Sequence, residues 1–145
     1  MDELIEQMKV TLASTFAFYL KAHNFHWNVE GSNFPQYHSF LDGVYNEVWG
    51  AVDSIAEHLR TLDSYAPGSL SRFVELSLIK DEINIPSAIA MMTKLTVDNG
   101  TMIEQLNKTQ ALAEQNRKMG LANFLQDRID AHEKHGWMLR SIIKA

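Results

Sequence analysis

Residues Asn33 to Ser64 read NFPQYHSFLDGVYNEVWGAVDSIAEHLRTLDS. Phe40, Leu41, Val44, Val48, Ile55 and Leu59 recur near the 3.6-residue period of a helix face. Pro35 suits a first turn, and Asn33 followed by Gln36 resembles a capping box. One helix is therefore predicted from about Asn33 to about Ser64. The same stretch carries two pairs of metal-ligand residue types. His38 and Asp42 are four apart, as are Asp53 and Glu57, so each pair shares a face. The 11 positions from Asp42 to Asp53 are about three turns, which brings both pairs onto one face but roughly 16 Å apart along the axis. A metal ion holds its ligands at about 2 Å, so one ion cannot bridge that gap. If both pairs serve the same metal, a second copy must lay its helix antiparallel across this one, at a two-fold interface.

Working outward, the N-terminal segment from Asp2 to about Asn28 places Ile5, Met8, Leu12, Phe16, Tyr19 and Leu20 on a helical stripe. Glu30-Gly31-Ser32-Asn33 breaks it. His26 thus lies near the end of the first helix and faces His38 across a short loop. This gives one His–His–Asp half-site, His26, His38 and Asp42, and a complementary one, Asp53 and Glu57. Imidazole and carboxylate together suit Fe(II), Mn(II) or Zn(II) rather than copper(I).

Pro67-Gly68 marks a loop, and Leu70 to Leu76 a short amphipathic turn. Pro86 is placed as an early residue of a third long helix reaching about Arg117. Asn99-Gly100 inside it lacks flanking strand-like alternation and is kept helical. Gly120 marks the next break. A fourth long helix follows from about Leu121 to Ile143, with Phe124, Leu125, Ile129, Trp137 and Leu139 as core positions. Four long helices and one extended middle connection predict an all-α four-helix bundle with a short extra helix, residues 1–145 forming one domain.

The chain has 145 residues, 46% apolar and 21% charged, an ordinary globular composition. Its net charge of −5 argues against a general nucleic-acid binder, which works by displacing counterions from phosphates. No apolar run is long enough to span a bilayer, and the acidic, amphipathic start is unlike a secretory signal. With no cysteine there is no thiolate site, and a cytoplasmic location is expected.

Several residues have plainer readings. An i,i+4 Asp/Glu pair alone is usually a solvated face, and Arg60 could pair with Glu57 on the surface. His132 and His135 form another i,i+3 pair that could bind metal but, flanked by Asp130, Glu133 and Lys134, read more as an exposed face. His23 reads as packed, His58 as surface, and Trp27, Trp49 and Trp137 as core or interface. A ferritin-type di-iron site inside the bundle needs Glu-x-x-His. The chain has no such motif, which disfavours an internal di-iron site in the bundle core.

The stretch His23-Asn-Phe-His26-Trp27-Asn28, with Gly31, Asn33-Phe34, His38, Leu41-Asp42, Asp53 and Ala56-Glu57, resembles the Dps family, the miniferritins. Glu133-Lys-His-Gly-Trp-Met138 is similar to that family's last helix. The resemblance implies a ferritin-like bundle assembled as a hollow dodecamer of two-fold dimers. It also implies ferroxidase centres across the two-fold interface, with His26, His38 and Asp42 from one subunit and Asp53 and Glu57 from its partner. Fe(II) would be oxidised there, preferentially by hydrogen peroxide but also by O2, and stored as ferric mineral, with Zn or Mn able to substitute. Trp27 would lie beside the centre and, with Trp137, intercept stray oxidising equivalents. Two departures from the family stand out. Arg117 to Asn123 carries no carboxylate where many members line an iron-entry pore, and there is no basic N-terminal extension for DNA. The first departure supports an alternative, a non-enzymatic shell with a structural metal.

Overall fold

In the computed structural model, which describes residues 1–144, the chain forms five helices and, among those residues, no strand. They are α1 (Asp2–Asn28), α2 (Phe34–Thr61), α3 (Leu70–Leu76), α4 (Ala88–Gln115) and α5 (Met119–Ile143). Ala145 lies outside the described residues. α1 pairs closely with α2 and α4 with α5; the two hairpins meet through α1 and α4, while α2 and α5 barely touch. α3 lies on α1, with the Phe73 ring 4.8 Å from that of Phe16.

The expected stripe on α1 is rotated slightly. Phe18, not Leu20, is fully buried, and Leu20 is among the exposed apolar residues. Leu4, Met8, Leu12, Ile55, Leu59, Leu106 and Leu125 fill one half of the core; Phe18, Phe25, Leu41, Met91, Met92 and Leu139 fill the other. Trp27, Trp49 and Trp137 are each half or more exposed, so none belongs to the core of a single chain.

Helix ends account for most differences from the sequence expectation. Asn33 makes no side-chain cap; the backbone bond Phe34 N–H to the Gly31 carbonyl holds this entry. α4 begins after Pro86, because Ser87 accepts the Ala90 N–H and is the cap. The break expected at Gly120 lies earlier, and Gly120 sits inside the first turn of α5. Lys118 N–H bonds to the Ala113 carbonyl and Arg117 N–H to that of Glu114, a Schellman ending. Its left-handed residue is Arg117 (φ 58°) rather than glycine. α2 ends the same way, with Asp63 at φ 66° and Ser64 N–H bonded to the Leu59 carbonyl.

The connection from Ser77 to Ser87 is tied down by α1. Lys21 donates to the Lys80 carbonyl and lies 2.8 Å from Asp98, and Asn24 donates to the Glu82 carbonyl. Deeper in, Asn99 is buried and donates to the His132 carbonyl at 2.8 Å. This contact requires glycine at 136, where a Cβ would sit 2.9 Å from Asn99 Nδ2 and 3.0 Å from an Arg140 nitrogen. Gly136→Ala is expected to displace Asn99 and cost about 1–3 kcal/mol by overpacking, read as a lower urea midpoint at unchanged slope.

Candidate metal centre

The loop from Val29 to Asn33, turned by Gly31 at φ 119°, brings the end of α1 against the start of α2. His26 Nδ1 lies 2.8 Å from the His38 carbonyl, and His38 Nδ1 2.8 Å from the His26 carbonyl. A carbonyl can only accept, so both Nδ1 atoms carry a proton, and in the neutral ring it is Nε2 that has the lone pair. The rings stack at 3.8 Å. Two imidazoles are thus fixed in the tautomer that ligates a metal, each oriented by backbone.

Phe34 stacks on His38 and Tyr45 lies against His26. His23 is packed, as expected, sandwiched between Tyr45 at 3.8 Å and Trp27 at 3.9 Å, and hydrogen-bonded through Nδ1 to Tyr19 Oη at 2.9 Å. Burial lowers its pKa, helped by His26 and opposed by Asp42. Asp42 stands exposed one turn beyond His38.

Asp53 and Glu57 are exposed on the same unbroken helix. Interaction with the neighbouring Asp53 carboxylate raises the Glu57 pKa. Two like charges held one turn apart form a site whose repulsion a bound cation would relieve. The rise of α2 keeps this pair about 16 Å from Asp42. Among the described residues, no three His, Asp or Glu side chains of one chain gather closely enough to hold an ion.

His58 is half-buried against Phe124 rather than at the surface, and burial lowers its pKa. The larger correction concerns His132 and His135, which are buried, not exposed. Arg128, buried with them, makes a two-point ion pair with Glu47 and donates to His132 Nε2 at 3.3 Å. His135 Nε2 lies 2.8 Å from Glu47 Oε1, and His132 Nδ1 donates to Asn99 Oδ1 at 2.8 Å. Burial alone would raise the Glu47 carboxyl, but hydrogen bonds from His135 and Arg128 bring it down to about 2. Burial, with the charge of Arg128, pushes His132 down to about 3. The sequence held a signal for this network. Arg128, His132 and His135 fall in step with Leu121, Leu125 and Leu139, whereas Asp130, Glu133 and Lys134 lie off that stripe.

The Ferritin-like domain family matches residues 5–145. The DNA protection during starvation protein of Brevibacillus brevis is 31% identical over 134 residues, covering 92% of this chain and 89% of that protein. Antigen TpF1 of Treponema pallidum is 32% identical over 146 residues, covering 98% and 81%. Its crystal structure superposes with a TM-score of 0.95 at 29% identity over 99% of this chain and 93% of that one. The crystal structure of Dps from Staphylococcus aureus gives 0.95 at 26% identity over 100% and 97%.

Proposed function

The chain belongs to the ferritin-like family and, within it, to the Dps proteins, and from that premise we propose that it oxidises Fe(II) at centres shared between two subunits and stores the ferric product inside a homo-oligomeric shell. The reciprocal His26–His38 pairing carries the reading, because it leaves two lone pairs presented beside Asp42. His26, His38 and Asp42 of one subunit face Asp53 and Glu57 of its two-fold partner, with α2 antiparallel to itself. That arrangement joins half-sites too far apart to meet within a chain. The shell proposed is a dodecamer, and Zn(II) or Mn(II) suits the same donors.

Each residue has a part. The imidazoles bind Fe(II) as neutral ligands. The three carboxylates stabilise Fe(III) more than Fe(II), because the charge they neutralise is larger. Two Fe(II) ions supply one electron each to peroxide, whose O–O bond breaks, and two protons complete two waters. Consuming both reagents protects DNA without contact with it, which the net charge of −5 disfavours. Trp27, tilted against His23 at 3.9 Å, is the accessory residue.

The exposed Arg117 and Lys118 at the α4–α5 turn, in a stretch without carboxylates, favour a second reading, a non-enzymatic shell with a structural metal at the interface. Anaerobic loading with Fe(II) followed by stoichiometric peroxide decides between them. Rapid growth of ferric absorbance, far above the protein-free rate, is expected, with a light-scattering mass near twelve chains. A protein that retains metal yet oxidises no faster than buffer would leave the second reading.

A further inference from the structure

The guanidinium of Arg128 is enclosed by donors that would suit a metal ion. Glu47 presents both oxygens, one of them 3.1 Å from Nη2, and His132 Nε2 lies 3.3 Å from the same nitrogen. His135 Nε2 donates to Glu47 Oε1 at 2.8 Å, a proton that an entering metal ion would displace. His132 is held in the ligating tautomer, its Nδ1 proton on Asn99 Oδ1 while Asn99 Nδ2 is anchored on the His132 carbonyl. Such a partner behind the ring is what fixes a metal-binding histidine. The donors come from α2 and α5 and the anchor from α4, so the cluster spans the bundle.

We propose that Arg128 is a built-in cation occupying a Glu47–His132–His135 metal site within the bundle, and that it keeps divalent metal out of the core. The two imidazoles and one carboxylate match a catalytic zinc donor set, in which ligands sit about 2 Å from the ion. Glu47 Oε1 and His132 Nε2 now stand about 1 Å farther from Arg128 Nη2 than they would from an ion, so loss of the side chain lets them close in. Nature supplies the charge as Arg because a fixed guanidinium stays protonated and satisfies a carboxylate at two points. This inference does not depend on the interface chemistry.

The test uses the assembled protein in an Asp42→Ala/Glu57→Ala background, which disables the interface half-sites, with Co(II) as the probe. Arg128→Ala is expected to bind about one additional Co(II) per chain, with the intense visible bands of low-coordinate N/O ligation. Those bands should vanish when Glu47→Gln and His132→Ala are added. With Arg128 present, no such bands should appear. If Arg128→Ala keeps its helix content and mass but gains no Co(II), or if the gain survives loss of Glu47 and His132, the proposal is overturned. If the variant does not fold unaided, the titration becomes a refolding experiment. Helix content restored by Co(II) supports the site, and no restoration overturns it.

Discussion

Chains carrying His26→Ala/His38→Ala, and separately chains carrying Asp53→Ala/Glu57→Ala, are each expected to oxidise Fe(II) no faster than buffer, yet to recover about a quarter of the parent rate when co-assembled one to one. The fraction follows from the two-fold geometry. A dimer of like variants has no intact centre. A mixed dimer has one centre built from two damaged halves and one from two intact halves. Random pairing makes about half the dimers mixed, so about one centre in four is whole. A centre contained within one chain gives no recovery at all. Recovery absent from a mixture whose mixed dimers are verified by mass would sink the shared-site reading, whatever the parent rate.

The prediction rests on features of unequal visibility in the sequence. The i,i+4 pairs on α2 and the phase between them need only helical geometry, and α2 runs unbroken from Phe34 to Thr61. That His26 and His38 approach was readable from the short loop. That each proton is fixed by the other's carbonyl was not, because it depends on the path through Gly31 at φ 119°. The helix ends failed for a related reason. Gly120 attracted the break because glycine most often takes the left-handed position, but Arg117 and Asp63 take it here. Three backbone bonds at such an end offset the modest strain of a side chain at positive φ, and nothing in the residue type advertises it. α5 misled in the opposite direction. A stripe searched for apolar residues passes over Arg128, His132 and His135 although they keep its period, because Glu47, the partner that lets the cation be buried, stands 81 positions away.

Glu47→Ala is expected to destabilise the fold by about 1–3 kcal/mol, because it leaves the buried Arg128 guanidinium without its carboxylate; the 38% exposure of Glu47 keeps the cost below that of a fully buried pair. Replacing both partners by apolar residues of similar volume, Glu47→Leu/Arg128→Met, should cost far less, since no uncompensated charge remains. The comparison needs fixed protein concentration, because assembly adds to apparent stability. The network also sets the acid response. Burial and the charge of Arg128 hold His132 down at about 3, against an ordinary value of 6.5. The unfolded chain therefore takes up the proton first, and the stability present above about pH 6.5 drains away as pH falls toward about 3, at up to about 1.4 kcal/mol per pH unit. Glu47, held near 2 against 4.5, contributes above about pH 4.5 and loses that contribution as pH falls through about 2. Between pH 6.5 and 4.5 the slope thus belongs mainly to His132, with smaller additions of the same sign from His58 and His23, whose pKa values are also lowered. Urea midpoints across that interval should fall steeply for the parent and more shallowly for His132→Gln, which cannot take up a proton when unfolded. Parallel lines would show that His132 is already protonated in the folded bundle. That result would contradict the tautomer required by its bonds to Asn99 and Arg128.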